Sequence, residues 1–263
     1  MITTIQLILA DTTAELVLVP PPGRPPTLDH TTLDQLDAHL ATIERAGDAI
    51  RLVILRSASA TVFCAGANLN VLQHLNPTSI VPWVEHGHRV LNRLESLPCP
   101  VLARIEGFAL GGGLEIALAA DLIFVTPNAQ LAQTEAKLGF VAGWGGSWRL
   151  PRRVGAARAK ELFFTGRRVT GSEAVAIGLA DECVPPAEMA ARCAQLAQEI
   201  ATCSPIAIRQ LKCLVDASPQ LPRAASAAAE AAASITCLQH PDTQHRVTEF
   251  LNRRKKTAPA PAQ

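Results

Sequence analysis

The segment Glu106-Gly-Phe-Ala-Leu-Gly-Gly-Gly-Leu-Glu-Ile-Ala-Leu-Ala-Ala-Asp121 holds the residue types best suited to chemistry. Gly111, Gly112 and Gly113 follow an apolar stretch that reads as a strand and open one that reads as a helix. The first amides of a helix have no intrahelical acceptor and the helix dipole is positive there, so an anion or a developing oxyanion is favoured at this turn. The spacing is not G-x-G-x-x-G and no P-loop lysine follows, so a nucleotide-phosphate loop fits poorly. The same glycines would also serve a tight strand-to-helix turn packed against neighbouring backbone. Glu115 lies in the first turns of the helix, among Leu114, Ile116, Ala117 and Leu118. A carboxyl group in apolar surroundings has a raised pKa, which suits proton transfer near neutrality, although a lone glutamate more often lies on a solvated helix face. A second acid, Glu135, stands in Thr134-Glu-Ala-Lys-Leu-Gly139, ahead of the loop Val141-Ala-Gly-Trp-Gly-Gly-Ser-Trp148. The two glutamates meet only if the fold brings them together.

A further small-residue loop, Phe63-Cys-Ala-Gly-Ala-Asn68, follows an apolar strand and precedes a helix-like stretch. Its small side chains let a ligand approach backbone N–H groups, and Asn68 can cap the helix that follows. It is a candidate second oxyanion donor. Cys64 is a weak nucleophile candidate, since no histidine is placed nearby in sequence to activate it and buried cysteine is the common case. His86 and His88, two residues apart, point away from each other on a helix and read as structural or exposed.

The elements that must position these groups alternate. Residues 14 to 19 read as a strand stopped by Pro20-Pro21-Pro22-Gly23-Arg24-Pro25-Pro26, because proline supplies no ladder donor. Leu33, Leu36, Leu40 and Ile43 recur at helical spacing, and Leu52-Val53-Ile54-Leu55 suits a buried strand. A helix around 80 to 95, a strand at Val101 to Ile105, the glycine turn, a helix from about 112 to 120 and a strand at Leu122 to Val125 continue the pattern. This alternation implies an α/β layered fold. From about residue 187 only helices are expected, at 187 to 202, 205 to 215, 222 to 238 and 241 to 254. The alanine-rich stretch Ala224 to Ala233 favours helix but buries little area, so it gains most by packing closely against another surface, and a partner subunit is a natural candidate.

Composition bounds the rest. With 263 residues, 48% hydrophobic and 18% charged, the chain is long enough for a substantial core and too apolar for disorder. A formal charge of +1 gives no field to draw it onto nucleic acid or anionic lipid. The seven cysteines are odd in number, lack C-x-x-C pairs and show no zinc-finger spacing, so buried thiols are expected and no metal site. The N-terminus lacks a basic n-region, and Gly107 to Val125 is interrupted by Glu115 and Asp121, so neither a signal peptide nor a membrane span is expected and the default compartment is the cytoplasm.

Four segments together resemble the enoyl-CoA hydratase/isomerase, or crotonase, superfamily: F-C-A-G-A-N-L at 63 to 69, E-G-F-A-L-G-G-G-L-E-I-A-L-A-A-D at 106 to 121, T-E-A-K-L-G at 134 to 139 and G-R-R-V-T-G-S-E-A-V-A-I-G-L-A-D-E-C-V-P at 166 to 185. The resemblance covers nearly the whole chain, loosely before residue 30 and past 256. It implies a spiral of ββα units over residues 1 to 190 with the CoA and acyl site, a C-terminal helical trimerisation region over 191 to 256, and a flexible tail over 257 to 263. It further implies an acyl-CoA substrate, no separate cofactor, and a homo-trimer or dimer of trimers. By position, Ala67 and Gly112 fall where the family's two oxyanion donors lie, and Glu115 and Glu135 where hydratases place their catalytic carboxylates. Ala65, Asn68, Leu69, Gly111, Trp144 and Arg24 are the expected substrate contacts. Arg24 and the tail Arg253-Arg254-Lys255-Lys256 are candidates for the CoA phosphates.

Departures from the family pattern put acyl preference and details of CoA binding in question. Asn68 replaces the usual aspartate, Ala142 the usual proline, and Arg24-Pro-Pro-Thr-Leu28 the usual Asn-Ala motif. Trp144 takes a place that is usually small, so it either shortens the acyl pocket, favouring short or compact enoyl groups, or fills the core or a subunit contact. Retention of both glutamates favours hydration of a 2-enoyl-CoA, or the reverse dehydration. The alternatives are double-bond isomerisation, which can use one proton-shuttling acid, and decarboxylation or dehydration of a carrier-protein thioester. A non-catalytic or RNA-binding role would rest on the basic tail, which near-neutral charge and the absence of interleaved aromatics make a poor case.

Overall fold

Leu52–Leu55 shows why the chain builds a layered α/β fold: all four residues are buried, as in a parallel strand covered on both faces. The computed structural model describes residues 2 to 257, with side chains as far as Arg253. The side chains of Arg254, Lys255 and Lys256 and residues 258 to 263 lie outside the described residues, as does most of the expected tail.

The strands are β1 Thr4–Ala10, β2 Thr13–Val19, β3 Leu52–Ser57, β4 Val62–Cys64, β5 Val101–Ile105, β6 Phe108–Leu110, β7 Leu122–Val125, β8 Gln130–Ala132, β9 Val169–Thr170 and β10 Glu182–Cys183. The helices of the same stretch are α1 His30–Ala46, α2 Leu69–Leu72, α3 Ile80–Glu95, α4 Gly112–Leu118, α5 Gly146–Val154, α6 Ala156–Thr165, α7 Gly171–Ala176 and α8 Met189–Ala201. A large sheet runs β1-β2-β3-β5-β7-β10 and a small one β4-β6-β8-β9. Successive strand pairs β3/β4, β5/β6 and β7/β8 each put one strand in the large sheet and the next in the small one, and helices follow. This repeat is the spiral of ββα units expected from the resemblance.

The large sheet is parallel except where β1 meets β2 across a turn at Asp11 and Thr12. Sequence reading missed β1, because only Ile5 of its seven residues is buried and no apolar face stands out. It also missed the small sheet, whose strands run two or three residues each.

The helices are fixed by local signals and burial. Asp29 caps α1 by accepting from Thr32 N at 2.9 Å, and Leu33, Leu36, Leu40 and Ile43 line its buried face. All seven residues of α4 are buried, which explains its unbroken apolar run and makes Glu115 an exception that needs partners.

Two compact units divide the chain, one to Ile200 and one from Ala201. The first extends past the expected division at 190 and takes in nearly all of α8. The second contains α9 Pro205–Ala217, α10 Arg223–Gln239 and α11 Pro241–Thr257. Within it, Arg246 pairs with Asp242 and donates to the carbonyls of Thr202 and Cys203, tying the start of α11 to the turn before α9. Its apolar side chains are largely uncovered: Leu211, Val215, Ile235, Leu238, Val247, Phe250 and Leu251 are exposed. Among the described residues, no helix is long and apolar enough to cross a membrane.

Candidate active site

Two loops and two acids converge on one cleft. It is lined by Ala65, Gly66, Ala67, Leu69, Gly111, Gly112, Glu115, Glu135 and Trp144, with Trp83, Leu138 and Phe140 among its apolar walls. Eight of the ten expected site residues therefore meet here. Asn68 and Arg24 do not line this cleft. They line an adjoining pocket with Ala65, Ala67 and Leu69, so the two pockets share those three residues.

Gly111 makes the turn from β6 into α4. Its φ of 52° and ψ of −124° form a conformation that any side chain makes costly. Its amide donates to Ala132 O at 2.8 Å, locking the turn to β8. Gly112 is then the first residue of α4, where helix geometry provides no acceptor for its N–H. A methyl group placed on Gly112 would lie 3.4 Å from Ala67 N, so the two loops are in contact. Ala67 pairs with Leu28 in a short parallel bridge, which uses the carbonyl of Gly66 and the amide of Asn68 and leaves the Ala67 N–H out of it. Asn68 caps α2 by accepting from Asn70 N at 3.0 Å, so the expected capping role is present without the aspartate's charge.

Glu115 is 2% exposed. Its Oε1 accepts from Trp144 N at 2.7 Å and from Gly146 N at 2.9 Å, two amides from the loop that opens α5. Burial raises its pKa above the ordinary carboxylate range, against the pull of these amides and of the Arg149 charge. Glu135 begins a single helical turn, Glu135–Leu138, and is half-buried. Burial and then the Glu115 charge push its pKa up to about 7. Neither acid sits on a solvated face.

Two residues that hold the acids escaped the sequence reading. Arg149, 3% exposed, donates to Trp144 O at 2.8 Å, to Asn92 Oδ1 at 2.7 Å and to Glu95 Oε2 at 2.6 Å, clamping the amide-bearing loop to α3. Gln133, 1% exposed, donates to both oxygens of Glu135 at 3.0 Å when its amide nitrogen faces the carboxylate. The available signals were an arginine next to Leu150 in α5 and a glutamine directly after β8, just ahead of an acid.

Cys64 lies behind the glycine turn, where burial pushes its thiol up to about 12, so it is inert as a nucleophile. His88 stacks on Trp148 and His86 faces His30 and Asp34, and neither lines the cleft of the acids. Among the described residues, no group of three or more His, Cys, Asp or Glu is placed to hold a metal ion.

A helix-start turn beside two carboxyl groups of raised pKa can stabilise a developing oxyanion and exchange protons with a bound molecule. Residues 21 to 258 match the family model described as enoyl-CoA hydratase/isomerase. The short-chain-enoyl-CoA hydratase of Clostridium acetobutylicum is 34% identical over 228 residues, 87% of each chain. An enoyl-CoA isomerase/hydratase of Mycosarcoma maydis is 34% identical over 206 residues, 78% of this chain and 75% of its own. The crystal structure of an enoyl-CoA hydratase from Bacillus anthracis superposes with a TM-score of 0.89 at 31% identity, over 95% of this chain and 96% of that one. This chain belongs to the enoyl-CoA hydratase/isomerase family and has the crotonase fold. An acyl-CoA substrate and a lyase or isomerase chemistry are consistent with that membership.

Proposed function

We propose that this protein is an enoyl-CoA hydratase that adds water across the double bond of a 2-enoyl-CoA thioester and catalyses the reverse dehydration. The observation that carries this reading is the convergence of Glu115 and Glu135 on the cleft that also holds the Ala67 and Gly112 loops. In the proposed reaction the thioester oxygen accepts from the Ala67 and Gly112 amides. Negative charge then develops on that oxygen as water attacks C3, and each donor contributes about 3 to 4 kcal/mol to the transition state. Glu115, whose Oε1 accepts from two amides, takes the proton from the attacking water when it is in its carboxylate form. Glu135, protonated in a large fraction of molecules near pH 7, gives its proton to C2. The product gains one hydroxyl and one hydrogen, and proton exchange with solvent resets the pair. The CoA phosphates would lie toward Arg24 and Asn68 in the adjoining pocket, and CoA enters as part of the substrate.

Isomerisation is the nearest competing reaction, since one acid can carry a proton between C2 and C4. Parallel assays with crotonyl-CoA and a 3-enoyl-CoA separate the two. Faster consumption of crotonyl-CoA with appearance of a 3-hydroxyacyl-CoA supports hydration. Turnover of the 3-enoyl compound alone would overturn it. Offering the same acyl groups on a carrier protein tests the remaining thioester reading.

The exposed apolar side chains of α9, α10 and α11 support assembly as a trimer or dimer of trimers, because an uncovered apolar surface of this extent suits a subunit interface. Sedimentation should give a multiple of three. A dilute, active monomer would contradict it.

A further inference from the structure

Gly87 lies in the middle of α3, a helix interior where glycine is among the weakest choices. Its neighbour explains it. A methyl group on Gly87 would fall 2.1 Å from both Cδ1 and Nε1 of Trp144, so the indole occupies the space of a side chain at position 87. At its other edge, a methyl group on Gly112 would lie 2.8 Å from Trp144 Cζ3. The ring is thus lodged between α3 and the first residue of α4, and it is 2% exposed. Trp83, one turn before Gly87, packs on it with ring centroids 4.9 Å apart, and His30 meets Trp83 edge-on at 4.8 Å. Both tryptophans line the cleft of the two acids.

We propose that Trp144 and Trp83, keyed onto Gly87, form a rigid floor to the acyl pocket that restricts the enzyme to short-chain enoyl thioesters of about four carbons. The proposal rests on the hydratase reading of the cleft and names its substrate class. The floor stands close to the reacting atoms: the backbone N–H of Trp144 holds Glu115 at 2.7 Å while its ring abuts Gly112, the oxyanion residue. An acyl chain that continues past C3 into the wall formed by these rings meets the indole. The ring has no room to yield, because Gly87 backs it on one side and Trp83 on another. Gly87 is therefore a specificity-determining residue that touches no substrate. Replacing Trp144 by alanine removes the ring and keeps the amide that serves Glu115.

The test uses the full chain and two readouts. Dissociation constants for butyryl-CoA and decanoyl-CoA, which cannot be hydrated, report the pocket alone, and kcat/KM for C4 and C10 2-enoyl-CoA reports the pocket and the chemistry. The parent should favour the C4 compound in both, and Trp144→Ala should move both ratios toward C10 by about tenfold or more. If Trp144→Ala does not fold, Trp144→Phe should move them in the same direction by less. Gly87→Ala should displace the ring and lower C4 kcat/KM by about tenfold, and adding Trp144→Ala to it should restore the value of Trp144→Ala alone. Unchanged ratios in a folded Trp144 variant, or a double variant no better than Gly87→Ala, would overturn the floor. If the binding ratios shift as stated but no variant or parent turns over any enoyl-CoA, the floor stands and the hydratase reading falls.

Discussion

Glu115 stands on α4, whose residues are all buried, and two amides grip one of its oxygens. Glu135 stands on one helical turn between half-buried Thr134 and exposed Ala136 and Lys137, with Gln133 as its nearest support. One acid is fixed in the core, where burial raises its pKa against the pull of two amide donors. The other is set at the cleft wall, where burial and its partner's charge hold it near neutrality. The proposed addition of water asks one group to be basic and well placed and the other to keep a proton to give.

Removing either acid should have the largest effect. Glu115→Gln and Glu135→Gln should each lower hydration by about 100-fold or more, with the fold intact by circular dichroism. Shortening them separates the two supports. Glu115→Asp draws the carboxyl out of the grip of the Trp144 and Gly146 amides and should cost about 100-fold, whereas Glu135→Asp, on a looser turn, should cost about tenfold. Equal losses would mean that rigidity of support does not distinguish them.

Arg149 offers a third contrast, because it acts on Glu115 alone. Arg149→Met leaves Glu95 and the Trp144 carbonyl without their buried donor and should destabilise the protein by about 3 kcal/mol. With that charge gone, Glu115 rises further, so the limb of kcat/KM that Glu115 sets should move to higher pH while the limb set by Glu135 stays. Movement of both limbs together would show that the two acids titrate as one unit.

The effect on stability is smaller and depends on pH. Glu135 is raised in the folded state from 4.5 to about 7, so between those values the folded chain keeps a proton that the unfolded chain releases. Stability from this group is complete below the lower value and is lost as pH rises through the upper one. Glu135→Gln escapes that loss and should be more stable than the parent by about 2 kcal/mol at pH 8, with no gain at pH 4. A constant difference in thermal unfolding across this range would rule out the raised pKa as its cause.

The parts of the site that could be read from the sequence are those with local causes. Gly111 and Gly112 announce a strand-to-helix turn, Asn68 a cap, and the unbroken apolar run of α4 a buried helix that isolates Glu115. The alternation of strands and helices likewise gave the layered architecture. What could not be read depends on contacts distant in sequence. Arg149 reaches Asn92 and Glu95 more than fifty positions away, and Gly87 makes sense only with the Trp144 ring beside it. The small-sheet strands are too short to show a period, and β1 is held by its ladder with β2 and not by an apolar face.

Proton NMR of crotonyl-CoA turnover in D2O reads whether the two acids add one water to one double bond. Hydration by this pair should give 3-hydroxybutyryl-CoA carrying a single deuterium at C2, formed by the parent and slowed about 100-fold or more in each glutamine variant. Deuterium appearing at C4 with the double bond moved and no hydroxyl at C3, or product forming at the parental rate in either variant, would contradict it.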